Sequence, residues 1–252
     1  MNFKNNESNT SETFEGNYKM LVLDLDDTLL RDDYSISNHN KELLLEAQKQ
    51  GVKVVLASGR PTPAMIRYAE ELQLAYFDSY MISFNGAVVT SMKNNEVLFE
   101  TTLTQKEIHS LYDFSVDNNV HIITYSNKGV VSETESEYID IELKLTGIPH
   151  YKVESFKNEI TTTAAKCILL EHPDYLKTVE KKLKAERTDL SVARSKPFFL
   201  EVMPQGIDKA ASIDRLANML DIKQSEVIAV GNAGNDLSMV KYAGLGIWVD
   251  NV

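Results

Sequence analysis

Three short apolar segments, each followed at once by polar residues, constrain the fold of this chain most strongly. They are residues 20–23, 52–57 and 227–230. Apart from Lys53, each segment is continuously apolar rather than alternating, which is typical of strands buried on both faces of a parallel sheet. Helical patterns follow them over short connections. This alternation predicts right-handed crossovers and an α/β, Rossmann-like parallel-sheet core.

The pattern changes in the middle of the chain. After Asn85-Gly86 the apolar segments become short pairs around polar turns, and Thr104 with Glu107 forms a capping box that predicts a helix start. We therefore predict an inserted α+β cap domain. The predicted divisions are a flexible tail over 1–17, a first core segment over 18–88, the cap over 89–197, and a second core segment over 198–252, which we expect to be truncated at its C-terminus.

Composition excludes several classes of function. The 252 residues carry a formal net charge of −11, which would repel nucleic acid. No apolar segment reaches the roughly 20 residues that a membrane helix needs, and we expect a cytoplasmic protein without a membrane partner. The single cysteine, Cys167, lies in an apolar segment and is expected to be a buried hydrophobic residue.

Polar clusters follow three of the predicted strands: Asp24-Leu25-Asp26-Asp27-Thr28, Ser58-Gly59-Arg60 and Gly231-Asn232-Ala233-Gly234-Asn235-Asp236. Ligands of open α/β sheets bind outside the carboxyl ends of the strands, so these clusters are expected to meet in one crevice. Asp24 and Asp26 would repel each other without a cation, and oxygen ligands with phosphate chemistry favour Mg²⁺. One carboxylate could attack phosphorus while the other transfers protons.

Two further features indicate an anionic ligand at the same place. The hydroxyl of Ser58 and the backbone amides beside Gly59 can approach phosphoryl oxygens closely. Lys209 opens a predicted helix, where the helix dipole disfavours a cation, so an anion nearby is expected to hold it. Each feature alone could be an ordinary turn or a surface lysine, but together and in this order they predict a phosphate site.

Together with Lys209, these clusters resemble the four motifs of the haloacid dehalogenase superfamily. The closest resemblance is to its Cof-type phosphatases with a C2-type cap. It implies that Asp24 is the nucleophile, Asp26 the general acid and base, and Lys209 the third catalytic residue. The residues implied to bind substrate are Thr28, Ser58, Gly59, Arg60, Asn85 and Asn235. The implied ligands of Mg²⁺ are Asp24, Asp26, Asn232 and Asp236, and the implied substrate is a small phosphorylated metabolite, a sugar phosphate or a phosphorylated cofactor.

The sequence departs from the family pattern at Asn232, where relatives carry an Asp that binds the metal. Loss of this negative charge predicts a weaker metal site. Two alternatives to a phosphatase that works through an aspartyl-phosphate therefore stay open. One is a catalytically attenuated protein that binds phosphorylated ligands or regulates, and the other is a phosphosugar mutase.

Overall fold

The computed structural model describes residues 17–249 and contains two sheets. Its strands are β1 (Met20–Leu23), β2 (Lys53–Ala57), β3 (Tyr80–Ser83), β4 (Val88–Ser91), β5 (Glu96–Glu100), β6 (His121–Ser126), β7 (Gly129–Ser132), β8 (His150–Lys152), β9 (Cys167–Leu170), β10 (Leu190–Lys196), β11 (Phe199–Pro204), β12 (Val227–Gly231) and β13 (Leu245–Trp248). Its helices are α1 (Asn38–Lys49), α2 (Thr62–Glu71), α3 (Gln105–Asp117), α4 (Glu137–Thr146), α5 (Phe156–Glu159), α6 (Pro173–Glu186), α7 (Lys209–Met219) and α8 (Leu237–Tyr242). The predicted tail, apart from Asn17, lies outside the described residues.

The first sheet forms the core module. Its order is β13-β12-β1-β2-β3-β4-β5, and the pairs from β13 to β3 are parallel. Val54 and Val55, neighbours on β2, are both fully buried although they point to opposite faces. One face packs against α1 and α2, the other against α7 and α8. The predicted α/β class with a parallel sheet is confirmed.

The second sheet forms a separate α+β module, called the cap below. Its order is β10-β11-β9-β6-β7-β8, and most of its pairs are antiparallel. Helices α3 and α6 cover one face, where Leu111 and Leu183 are fully buried. The predicted capping box of α3 is present, since Thr104 and Glu107 each accept a hydrogen bond from the other's backbone. The module has too large a core of its own to be a simple loop.

The chain changes sheets later than the predicted limits of 89 and 197. The β4–β5 hairpin extends the first sheet by antiparallel pairing, and the β10–β11 hairpin belongs to the second sheet. The sequence pattern around Leu200 predicts a buried strand of the core. That segment is equally buried in the cap, because β11 lies between β9 and β10. Continuous burial identifies an interior strand but does not identify its sheet.

The start of α7 is fixed in two ways, which matters because Lys209 is its first residue. Asp208 caps the helix by accepting a hydrogen bond from the Ala211 amide at 3.3 Å. Gly86, with φ +109°, packs so closely that a Cβ there would lie 2.6 Å from the Asp208 carbonyl oxygen. The Ser212 hydroxyl also donates to the Gly86 carbonyl at 2.6 Å.

Within residues 17–249, no helix is both long and apolar enough to cross a bilayer.

Candidate active site

The three polar clusters meet at one edge of the first sheet, as the sequence predicts. Strands β12, β1 and β2 are neighbours and run parallel, so their carboxyl ends lie side by side. The Asp24 amide donates to the Val230 carbonyl at 3.0 Å, and the Ser58 amide donates to the Ile82 carbonyl at 2.9 Å. The ladder of the sheet therefore continues into the site and holds the first residue of each of these two clusters rigidly.

Lys209 connects the three strand ends through its ammonium. Nζ donates to Asp24 Oδ1 at 2.7 Å, to Asp236 Oδ1 at 2.6 Å and to the Ala57 carbonyl oxygen at 2.9 Å. The residue is 1% exposed, and all three of its N–H groups are used. Two carboxylates and a carbonyl thus hold a buried cation that would be very costly if unpaired.

Asp236 holds Lys209 from the other side of the site. Its second oxygen, Oδ2, accepts hydrogen bonds from the Asn232 and Ala233 amides at 3.1 and 3.0 Å. Gly231 makes this loop possible, because a Cβ there would lie 2.5 Å from the Asp236 Cβ. Both oxygens of Asp236 are therefore bonded within the protein, which fits a partner of Lys209 better than the metal ligand implied by the resemblance.

Asp24 is the acidic group that faces the cavity at the centre of the site. It is 5% exposed. Burial raises its pKa to about 6, while the ammonium of Lys209 opposes the rise and the carboxylate of Asp236 adds to it. At pH 7 the carboxylate is mainly ionised but poorly solvated, and a poorly solvated carboxylate is the form suited to attack an electrophile.

Asp26 lies beside Asp24 and is held by Arg60. The guanidinium donates from Nε to Asp26 Oδ2 at 2.8 Å and from Nη2 to Asp26 Oδ1 at 2.6 Å, a bidentate pair. Nη1 of Arg60 also lies 3.4 Å from the carbonyl oxygen of Leu145 on α4 of the cap. Arg60 therefore contacts both a carboxylate of the core and the backbone of the cap.

Of the remaining residues implied to bind substrate, four line the cavity and one, Thr28, does not. Ser58, Gly59, Asn85 and Asn235 line the same cavity as Asp24. The amide of Asn235 donates to Asn85 Oδ1 at 3.0 Å, which ties the two loops together. Thr28 is different: its hydroxyl oxygen is buried without a partner among the described residues, and it does not line the cavity.

The atoms that could bind a divalent cation at this site are oxygens, and only some of them belong to carboxylates. Within residues 17–249 no cluster of three or more His, Cys, Asp or Glu side chains could hold a metal ion. The side-chain oxygen of Asn232 is buried and has no hydrogen-bond partner among those residues. Asp24, the Asp26 backbone and this orphaned amide oxygen suit Mg²⁺, which binds proteins through one or two carboxylates and keeps several waters.

The cap closes the other side of the cavity, which has a volume of about 610 Å³. Its wall includes Glu142 of α4, Lys166 before β9 and Glu201 of β11. None of these three residues is among the site residues predicted from the sequence. A signal existed for two of them, since Lys166 and Glu201 are charged residues inside otherwise apolar segments. Charged residues in buried strands are rare unless they are paired.

Comparison with known proteins agrees with this architecture. Residues 21–252 match the model of the family described as haloacid dehalogenase-like hydrolase. YxeH of Bacillus subtilis, provisionally named as a phosphatase, is 34% identical over 239 residues, covering 93% of this chain and 88% of its own. YcsE of the same organism, named as a 5-amino-6-(5-phospho-D-ribitylamino)uracil phosphatase, is 27% identical over 234 residues, covering 92% and 84%.

A solved structure matches over nearly the same span. The crystal structure of a haloacid dehalogenase-like hydrolase from Bacteroides thetaiotaomicron superposes with a TM-score of 0.88 at 37% identity, covering 92% of this chain and 88% of that one. Both the core sheet and the cap are therefore shared. The chain belongs to the haloacid dehalogenase-like hydrolase family, and the prediction that it is a phosphatase is confirmed.

Proposed function

We propose that the protein is a Mg²⁺-dependent phosphomonoester hydrolase that forms an aspartyl-phosphate on Asp24. The observation that carries the proposal is the pair of hydrogen bonds from the buried ammonium of Lys209 to Asp24 and Asp236. This ammonium lies where the transferring phosphoryl group would carry negative charge, and charge stabilisation there is the main contribution to phosphoryl transfer. The substrate is a small phosphorylated metabolite that fits a cavity of about 610 Å³.

The reaction has two steps. In the first, an Asp24 carboxylate oxygen forms a bond to phosphorus, the ester P–O bond breaks, and Asp26 gives a proton to the departing alcohol oxygen. In the second, water attacks the phosphorus of the aspartyl-phosphate, Asp26 takes the proton of that water, and inorganic phosphate leaves with Asp24 restored. Asp26 thus acts as acid and then as base.

Substrate binding must change the contacts of Asp26. Its two oxygens both accept hydrogen bonds from Arg60, so both are engaged before substrate binds. A phosphate monoester would compete for the guanidinium, because phosphate also accepts bidentate hydrogen bonds from arginine. Transfer of Arg60 from Asp26 to the substrate would free this carboxylate to take up a proton from solvent, which it then gives to the departing alcohol oxygen. Ser58 and the backbone beside Gly59 would bind the remaining phosphoryl oxygens.

Mg²⁺ would be held by Asp24, the Asp26 carbonyl and Asn232, and when bound it supplies positive charge beside the transferring group. The orphaned oxygen of Asn232 supports this assignment. The second candidate function, a protein that binds phosphorylated ligands with attenuated turnover, is favoured by the same residue, because an amide oxygen binds a cation less strongly than a carboxylate.

The direct test is phosphate release from p-nitrophenyl phosphate with and without Mg²⁺. The wild type should release phosphate only with the metal, and Asp24→Asn should release none. Asp174→Asn, on an exposed carboxylate of the cap surface, is the control and should keep full activity. Calorimetric titration with Mg²⁺ tests the role of Asn232, because Asn232→Asp should raise the affinity for Mg²⁺ by about 10-fold or more, and turnover separates the two candidates. Ligand binding without turnover in both proteins would instead support the attenuated binder, and formation of a phosphosugar isomer without free phosphate would identify a mutase.

A further inference from the structure

A second cavity lies between the core module and the cap, apart from the active site. Its volume is about 890 Å³, and it shares no lining residue with the active-site cavity. The core contributes the start of α2 and the β4–β5 hairpin, and the cap contributes the β6–β7 turn and residues 160–165. A molecule that fills this space therefore contacts both modules. We call it the junction cavity.

Thr90 has an unpaired hydroxyl in the wall of the junction cavity. The residue is 5% exposed, and its hydroxyl oxygen is buried without a hydrogen-bond partner among the described residues. Thr90 and Val88 are two positions apart on β4 and so lie on the same face, and both line the cavity. Valine would fill the place of Thr90 without the cost of an unpaired buried hydroxyl. The hydroxyl therefore indicates a ligand in the cavity that forms a hydrogen bond with it.

The charges of the junction cavity exclude the phosphorylated substrate as that ligand. Every charged side chain that the described residues place in its wall is a carboxylate, namely Glu70, Glu100 and Glu159. Lys128 pairs with Glu159 at 2.8 Å, whereas neither Glu70 nor Glu100 has an ion-pair partner within residues 17–249. These carboxylates would repel an anion and attract a cation.

Glu100 and Thr90 are close enough to bind the same group of a ligand. Glu100 pairs with Val88 across the β4–β5 hairpin, and Thr90 follows Val88 by two positions. Diagonal neighbours of this kind are typically about 7–8 Å apart, so one ammonium between them can donate to both side chains. Much of the remaining wall is apolar and includes Ile66, Val88, Met92, Ile148 and Ile160. A cation with an apolar body therefore fits this wall.

Phe84 and Tyr125 separate the junction cavity from the active site. Their ring centroids are 5.5 Å apart, and both residues line the junction cavity. Lys166, which lines the active-site cavity, places Nζ 5.9 and 5.7 Å from the two ring centroids. Asn85, the next residue after Phe84, also lines the active-site cavity. A ligand against the two rings thus contacts the wall that the two cavities share.

We propose that the junction cavity is a regulatory site that binds an apolar organic cation, a protonated amine on an aromatic or aliphatic body. The ammonium donates to the Thr90 hydroxyl and to the Glu100 carboxylate, and the apolar body packs against Ile66 of the core and Ile160 of the cap. A ligand in contact with both modules stabilises their present arrangement. Turnover requires the product to leave the cavity between the modules, so the bound cation lowers kcat without displacing phosphate.

Three indole compounds with the same ring test the binding: tryptamine with an ammonium, tryptophol with a hydroxyl, and indole-3-propionate with a carboxylate. Calorimetry would be done with saturating inorganic phosphate, which occupies the active site. The wild type should bind tryptamine at least about 10-fold more tightly than tryptophol, the effect of one hydrogen bond to a charged group, and indole-3-propionate most weakly. Tryptamine bound no more tightly than indole-3-propionate, or displaced by the phosphate, would overturn the proposal.

Two substitutions locate the tryptamine in the junction cavity. Glu100→Gln should raise the Kd of tryptamine about 10-fold and leave that of tryptophol nearly unchanged. Thr90→Val should raise both Kd values about 2- to 10-fold, and urea unfolding should show a protein at least as stable as the wild type, because an unpaired hydroxyl is removed. Glu96→Gln and Thr101→Val, at neighbouring positions outside the cavity wall, are the matched controls. Kd values that change equally in variants and controls would overturn the assignment.

Kinetics test whether the junction cavity regulates turnover. In phosphate release from p-nitrophenyl phosphate, saturating tryptamine should lower kcat about 5-fold or more and change KM less. In Glu100→Gln this loss should require about 10-fold more tryptamine, whereas Glu96→Gln should respond as the wild type does. A rise in KM alone would mean that tryptamine competes at the active site. That result, or a kcat that saturating tryptamine leaves unchanged, would overturn the regulatory role.

Discussion

Lys209 Nζ lies 2.7 Å from Asp24 Oδ1, although 185 positions separate the two residues in the sequence. The cap lies between them in the chain, so this contact forms only when both segments of the core module have come together. It couples the folding of the core to the assembly of the site. Changes to Lys209 should consequently affect stability and activity together.

Lys209→Met tests this coupling. The substitution leaves the buried carboxylates of Asp24 and Asp236 without their cation, which should lower the free energy of unfolding by about 3–5 kcal/mol at neutral pH. Urea unfolding followed by circular dichroism measures the effect, and phosphate release should be lost. Lys241→Met, on the surface helix α8, is the control. A variant as stable as the wild type would contradict the view that Lys209 neutralises both carboxylates.

Gly231→Ala should damage the site through sterics alone. A methyl group there would lie 2.5 Å from the Asp236 Cβ and 2.8 Å from its carboxyl carbon. Asp236 would be displaced from Lys209, and we expect a loss of about 1–3 kcal/mol in stability together with reduced activity. Gly234→Ala, in the same loop, is the matched control, because no atom lies within 4 Å of its added Cβ. Equal effects of the two substitutions would argue against close packing at Gly231.

Arg60→Lys tests whether a bidentate donor is required beside Asp26. Lysine keeps the charge but cannot reproduce the two parallel hydrogen bonds, so kcat/KM should fall roughly 10-fold or more. Arg67→Lys, on α2 outside this cavity, should change little. Full activity of Arg60→Lys would mean that only the charge of Arg60 is used.

The raised pKa of Glu142 predicts that the free energy of unfolding decreases as pH rises. Because burial raises this pKa above its ordinary value of 4.5, the folded protein binds the proton more tightly than the unfolded chain does. The stability that protonated Glu142 provides is therefore complete below pH 4.5 and is lost as pH rises through the pKa of the folded state. Urea unfolding of the wild type and Glu142→Gln should show the variant gaining relative stability over that rise. A difference independent of pH would contradict the direction of the shift.

The sequence predicts the core half of the site better than the cap half, and the reason is physical. Asp24, Ser58 and Asp236 follow buried parallel strands, whose carboxyl ends must lie at one edge of the sheet. The position of Lys209 opposite them follows from the helix after the cap. These relations depend on local patterns and on the topology of crossovers, both of which a single sequence carries.

The cap half depends on long-range antiparallel pairing, which local patterns do not specify. Glu201 lies on a strand whose apolar character fits either sheet, and Glu142 lies on a helix, α4, that is not among the elements predicted from the sequence. Ser136 caps that helix and Gly147, with φ +69°, ends it, so start and stop signals were present. Which of its faces meets the cavity is set by packing between the two modules.

The most direct test of the whole account is detection of a phosphoryl group on Asp24. The reaction with p-nitrophenyl phosphate would be stopped in acid and the protein digested for mass spectrometry. We predict one added phosphoryl group on the peptide that contains Asp24 in the wild type and none in Asp24→Asn. Phosphate release in the wild type without any modification of Asp24, or release that persists in Asp24→Asn, would contradict nucleophilic attack by this carboxylate.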